Sequence, residues 1–310
     1  MSAPSSLIST AGGDWLRPFH VERTGVRGVI ARLGPAWRTI AAHGAGAPQV
    51  LNWLGQCQTA AALFAGDIKM RGSVSVQLRA PSTVGTLFGE CTDAGTVRPI
   101  ARTVPGATLP ARLDAVGGDA LLAITIERPG GLRYQGLVPL EGERLEQAFE
   151  GYFERSEQLP TAIRLAATDT VCAGMLLQQV PDEGGHGDRA PSADFERLGF
   201  LFRTVTDEEL LTLAPETVLR RLFVEDDVRL QPGRRLAFAC SCSRERVERV
   251  LLSLGEPEAR AALDAAGAMA VRCEFCGQGY AFARSMLDRL CHPPAAAPGA
   301  DRRSDGPAGA

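Results

Sequence analysis

"DALLAITIERPGGLRYQGLVPL", residues 119–140, carries two apolar runs on either side of Pro129, Gly130 and Gly131. Proline and glycine side by side mark a tight turn, and the flanking runs alternate as strands do. Two strands joined by so short a turn must pair antiparallel, because a parallel crossover needs a dozen residues or more. Read outward from this hairpin, the same signals recur. Upstream, "SVSVQLRA" (73–80) alternates with Val74, Val76 and Leu78 on one face, and "VGTLFGECTD" (84–93) reads as its hairpin partner. "GVRGVIARL" (25–33) is a further strand, and "PQVLNWLGQCQTAAALFAGDIK" (48–69) predicts a long amphipathic helix opened by Pro48. Downstream, "GERLEQAFEGYFERSEQLP" (142–160) predicts a helix with Leu145, Phe149 and Tyr152 on one face. "TAIRLAAT" (161–168) and "CAGMLLQQV" (172–180) read as closing strands. The fold class is α+β: a mixed, mostly antiparallel sheet domain with helices, followed by a helical linker and a small C-terminal zinc-binding module.

The chain of 310 residues has 45% hydrophobic and 22% charged residues and a net charge of −3. That is an ordinary globular composition, with no basic field that would point to nucleic acid. Nearly all the positive charge is arginine, with Lys69 the one lysine. The N-terminal stretch lacks the charged-then-apolar pattern of a signal peptide, and no run of 18 apolar residues occurs. The expectation is a cytoplasmic protein with no membrane partner, where structural disulfides are rare and clustered cysteines serve metals or redox chemistry. The Gly/Pro/charge cluster "PDEGGHGDRAPSAD" (181–194) marks a domain boundary. The segments expected are 1–14 flexible, 15–180 the α+β domain, 181–235 a loop and helical linker, 236–292 a four-cysteine module and 293–310 a disordered tail.

In the linker, Thr206 and Glu209 have capping-box spacing ahead of Leu210 and Leu211. Pro215 opens a second helix with Val218, Leu219, Leu222 and Phe223 as its apolar stripe. Helices this short are marginal in water and need a neighbour to dock on. The zinc module is one neighbour whose loss would then release them.

The module places four of eight cysteines in two tight pairs, Cys240 and Cys242 in "FACSCSRERV", and Cys273 and Cys276 in "RCEFCGQGY". Two turns that each supply two thiolates, brought together by "SRERVERVLLSLG" and a second helix from Pro257, make a tetrahedral zinc site. Val247, Val250, Leu251 and Leu254 are expected on one face of the first of these helices. A unit this small has little core, and structural zinc contributes about 10–16 kcal/mol to such domains. Metal loss should unfold it. Thiolates are also what oxidants attack, and neighbouring cysteines should then join as 240–242 and 273–276. A purely structural zinc knuckle remains the simpler reading of the spacing.

Other residues carry less. Cys57, Cys91 and Cys172 sit in apolar runs and read as small buried residues; Cys291 and His292 follow the module too late to be needed as ligands. His20, His43 and His186 have no catalytic spacing, and no phosphate-loop pattern occurs. Three functions compete: a thiol-switched holdase, a CxxC thiol-disulfide oxidoreductase, and a zinc-ribbon nucleic-acid module. The oxidoreductase lacks a βαβ pattern around Cys273. The nucleic-acid module lacks interleaved aromatic and basic residues.

Several phrases resemble the heat-shock-protein-33 family of redox-regulated bacterial holdase chaperones: "CSCSRER", "CEFCGQGYAF", "LFAGDIKMRGSVSVQL", "YQGLVPLEGERLEQAFEGYFERSEQLPT" and "AGMLLQQVP". The resemblance spans roughly residues 15–292 and departs from the family pattern at "RAPSTVG" (79–85). It implies no enzyme activity. The reduced form is zinc-bound and inactive, with Cys240, Cys242, Cys273 and Cys276 as ligands. Oxidation makes two disulfides, releases zinc and unfolds the linker, so that unfolding client proteins are bound. It also implies a homodimer when activated.

Overall fold

Residues 121–138 form the predicted hairpin, with Leu121–Glu127 antiparallel to Arg133–Val138 and Ile124 opposite Gly136. Gly130 and Gly131 make the turn with φ of 87° and 81°, a region that penalises any side chain. The computed structural model describes residues 13–42, 47–66, 71–106, 109–180, 191–263 and 267–286. The expectations for residues 1–12, His43, His186, Cys291, His292 and the 293–310 tail lie outside the described residues.

The chain divides into two units, Met1–Cys240 and Ser241–Ala310. The first begins β1 (Trp15–Val21), β2 (Val26–Leu33), α1 (Pro35–Ala42), α2 (Pro48–Phe64), β3 (Ser73–Ala80), β4 (Gly85–Thr92), β5 (Thr96–Val97) and β6 (Ile100–Arg102). It continues with β7 (Leu121–Glu127), β8 (Arg133–Val138), α3 (Leu145–Tyr152), β9 (Thr161–Ala167) and β10 (Cys172–Gln179). It closes with α4 (Ala193–Phe202), α5 (Asp207–Thr212), α6 (Pro215–Leu222), β11 (Val228–Leu230), β12 (Arg234–Arg235) and β13 (Ala237–Phe238).

Two sheets result. One runs β11-β1-β2-β10-β9 with β12 also on β1; the other runs β13-β5-β4-β3-β7-β8 with β6 on β4. Pairing is antiparallel except where β13 lies parallel to β5. The hairpin of β3 and β4 forms across the "RAPSTVG" departure, in register from Ser73 opposite Thr92 to Ala80 opposite Gly85.

α2 lies between the sheets, touching β3 and β4 of one and β2, β9 and β10 of the other. The amphipathic helix expected over 48–69 is thus buried on every side from Val50 to Leu63 apart from Asn52 and Gln56, and it ends at Phe64. Ala60, Ala61 and Ala62 keep it slim enough to be packed on both flanks. Its buried Gln58 is satisfied by the Glu90 main chain of β4, donating to the carbonyl (3.0 Å) and accepting from the N–H (3.2 Å).

The first sheet is apolar on both faces, which explains the continuous apolar run of β10. Leu16, Val29, Leu165 and Leu176 face the α2 core. Trp15, Phe19, Ile30, Met175 and Leu177 face the linker helices, packing with Leu198, Phe202, Leu210, Val218, Leu219, Leu222 and Phe223. The linker stripe is therefore seated on this sheet. The capping box is present, with Glu209 N–H donating to Thr206 Oγ1 (3.2 Å) and Thr206 N–H to Glu209 Oε2 (2.9 Å).

The second unit contains α7 (Arg244–Leu254), α8 (Glu256–Ala261) and the two-stranded antiparallel sheet of β14 (Ala268–Arg272) and β15 (Gly279–Ala283). Its buried core is Leu251, Ala259, Met269 and Phe282, with Val247 packed against them. Val250 and Leu254, expected on the same face of α7, are exposed instead, because so small a core fills only one row of the helix. No described helix is long and apolar enough to cross a membrane.

Candidate metal centre

Cys240 follows β13, and Cys242 precedes Ser243, whose hydroxyl caps α7 by accepting from Arg246 N–H at 3.2 Å. Cys273 and Cys276 lie in the turn between β14 and β15. That turn is closed by the Gly277 N–H donating to Cys273 O (2.8 Å) and the Cys273 N–H to Gln278 O (2.9 Å). Gly277 has φ of 71°, so glycine after the second cysteine lets the chain reverse without strain. The turn is further pinned by Arg272 Nε donating to Gly277 O at 3.0 Å.

These elements bring together all four cysteines singled out in the sequence: their Sγ atoms lie within 4.8 Å of one another. Cys242 and Cys276 Sγ are 3.4 Å apart. Sulfurs about 2.3 Å from a tetrahedral ion stand about 3.8 Å from each other, whereas a disulfide needs about 2.05 Å. The spacing fits a metal held by four thiolates, and all four cysteines are unbridged and half-buried.

Two neighbours of this cluster were given no role in the sequence reading. Tyr280 on β15 donates its hydroxyl to Cys242 Sγ at 3.1 Å. That bond, and the negative sulfurs around it, push the phenol up to about 12. Arg244 stacks on Phe282 (4.7 Å to the ring centre) and donates to Ala281 O at 2.8 Å, tying the start of α7 to β15. Only their place near a cysteine hinted at them.

The remaining cysteines are elsewhere. Cys57, Cys91 and Cys172 are fully buried in the first unit, and burial pushes each thiol up to about 12. His20 is held between Glu22 (2.8 Å) and Gln231 (3.0 Å) on the sheet. Around Cys273 stands a two-stranded antiparallel sheet, not the βαβ unit of a thiol oxidoreductase.

A family profile described as Hsp33 protein matches residues 14–283. The chain is 36% identical over 277 residues to the 33 kDa chaperonin of Nitrosococcus oceani, covering 89% of this chain and 94% of that one. It is 38% identical over 283 residues to the 33 kDa chaperonin of Azotobacter vinelandii, with the same coverage of 89% and 94%. The crystal structure of the Thermotoga maritima 33 kDa chaperonin shares the fold, with a TM-score of 0.75 at 20% identity over 89% of this chain and 97% of that one. Profile, identity along nearly the whole length and fold agree, and the chain belongs to the Hsp33 family, whose named members are chaperones and not enzymes.

Proposed function

We propose that the chain is a thiol-regulated, ATP-independent holdase. Cys240, Cys242, Cys273 and Cys276 hold one zinc ion in the reduced form. The observation that carries this reading is the convergence of the four sulfurs within 4.8 Å, three of them in a unit whose buried core, among the described residues, is four residues. Leu251, Met269 and Phe282 contribute only about 1.5–3 kcal/mol each on burial and Ala259 less, too little to hold the unit alone. When bound, zinc would supply the missing cross-link and offset the charge of four thiolates.

Two equivalents of peroxide, with four protons from solvent, take the four thiolates to two disulfides, 240–242 and 273–276, and leave four waters. The donors are then gone and the unit loses its cross-link. From Cys240 the chain runs straight back through β13, β12 and β11 to the linker. Loosening at Cys240 frays these strands first; release of α4–α6 from the sheet follows with mild heat, since their docking, apolar contacts with ion pairs beside them, has a stability of its own. The uncovered stripe and sheet face then take up unfolding proteins. On this reading the active form is a homodimer working in the cytoplasm under oxidative and heat stress, with neither nucleic acid nor membrane as partner.

The test is a peroxide titration of the zinc-loaded chain, following zinc release and suppression of client aggregation together. Both should rise in step once the sample is warmed. Cys273→Ser should lose most of its zinc and Cys57→Ser none. Unchanged stoichiometry in Cys273→Ser would sink the assignment.

A further inference from the structure

Within the first unit, four exposed large apolar side chains sit on one hairpin, β7–β8: Leu121 (54% exposed), Leu132 (70%), Tyr134 (52%) and Leu137 (63%). β8 is also the end strand of its sheet. Arg128 N–H donates to Leu132 O at 2.8 Å, which makes that pair a hydrogen-bonded one. Alternation along an antiparallel ladder then turns the main-chain groups of Tyr134, Gly136 and Val138 toward β7, and those of Arg133, Gln135 and Leu137 outward. Among the described residues, nothing accepts from those outward N–H groups. Pro139 ends the open edge, having no N–H to offer.

The other sheet's long edge, β9, is treated differently. Glu150 and Glu146, one turn apart on α3, accept from the N–H groups of Ile163 (2.8 Å) and Leu165 (3.2 Å), so two carboxylates stand where a further strand would. The remaining sheet ends, β11 and β13, are three and two residues long. Natural sheets usually blunt a long edge with charge, cover or a bulge. The outer side of β8 has none of these, apart from Arg133 at its start.

The same hairpin borders a cavity of about 970 Å³. Ile124, Ile126, Leu132 and Tyr134 line it on the hairpin side, and Phe19 and Phe64 line it elsewhere. An open row of main-chain donors and acceptors beside an apolar hollow fits a polypeptide in extended form, whose backbone extends the sheet while alternate side chains enter the hollow. From this, and resting on the chaperone reading above, we infer that β8 takes an extended, apolar-alternating segment of an unfolding protein as an added strand. The edge is open in the thiol form, so it binds such a segment before oxidation. Oxidation adds the linker stripe and thereby the affinity needed to hold a whole client.

The experiment uses the full chain, in thiol and peroxide-oxidised forms, and a fluorescent ten-residue peptide in which valine alternates with threonine. Fluorescence anisotropy should show saturable binding in both forms. Amide exchange of the wild type should slow at least tenfold at Arg133, Gln135 and Leu137 when peptide is saturating. Gln135→Pro deletes one outward N–H and leaves the main-chain bonds to β7 in place, losing also the side-chain bond from Gln135 Nε2 to Thr125 Oγ1 (3.2 Å); it should weaken binding at least tenfold relative to Gln135→Ala, which loses the same side-chain bond. If that variant misfolds, the wild-type exchange data still decide. A peptide with proline at alternate positions should not bind. Equal binding of the proline peptide, unchanged exchange at these amides, or their protection by a second copy of the chain without peptide would each overturn the inference. Suppression of luciferase aggregation is measured alongside. Suppression by the oxidised chain with no peptide binding sinks the edge and leaves the chaperone reading; peptide binding with no suppression in either form sinks the chaperone reading and leaves the strand site.

Discussion

Glu150 shows how much one carboxylate is asked to do. Burial pushes it above the usual carboxylate value, while the Ile163 N–H and Arg203 pull it down. A carboxyl raised on folding binds its proton more tightly in the folded chain. Its contribution is therefore full below the unfolded value of about 4.5 and is lost as pH rises through the raised value. Glu150→Gln keeps the acceptor for Ile163 and removes that slope. In urea melts the variant should be at least as stable as the wild type at pH 7.5 and lose ground to it as the pH falls toward about 4.5. The cysteines divide by the same reasoning. Thiols held near 12 have almost no thiolate at neutral pH. In the metal-stripped native chain, a maleimide should label Cys240, Cys242, Cys273 and Cys276 within minutes. Cys57, Cys91 and Cys172 should label only after unfolding, as peptide mass spectrometry would show. The four ligand positions were legible because paired spacing is a local signal. Tyr280 was not, because its hydroxyl reaches Cys242 only through the pairing of β14 with β15.

At the scale of elements, the linker helices are short, and their hold on the sheet is an apolar stripe with polar bonds beside it, Arg32 Nε to Leu211 O (3.2 Å), Arg164 to Asp207 (2.7 Å) and Arg17 to Glu216. Leu222→Ala removes a buried side chain from that contact and should cost about 2–5 kcal/mol. Thr206→Ala removes the α5 cap and should cost about 1 kcal/mol. Both should lower the temperature at which linker amides exchange in the oxidised chain, and with it the onset of aggregation suppression. If linker exchange shifts and suppression does not, the linker stripe is not a client surface. The cap and the stripe were plain in the sequence; the surface beneath them was not. Strand alternation shows that a face is buried, yet β10 is apolar on both faces and gives no sign of which layer covers which. α2 failed for a related reason. Its periodicity suggested one wet face, but alanines pack as readily as larger residues when sheets close from both sides, and no local signal announces the second sheet.

For the whole molecule, the two units should respond separately to a chelator. Stripping the metal should bring the amides of β14 and β15 to rapid exchange while α2 and β10 stay protected at 25 °C, because the described core of the second unit is four residues, whereas α2 and β10 lie in the large cores of the first. Loss of protection in α2 on chelation alone would show that the units are not separate. The order of strands has a further consequence, for synthesis. β2 is completed only by β10, Val26 lying opposite Gln179, so Val26 waits for more than 150 further residues before its partner exists. At ribosomal rates of about 5–20 residues per second, the wait is roughly 8–30 s. Throughout it α2, apolar on nearly every side, has at most one of its two sheets to lie against. The nascent chain thus spends that interval as the kind of molecule its finished form is proposed to protect. Stalled nascent chains ending before β10 should be captured by other chaperones, and chains ending after β13 should not.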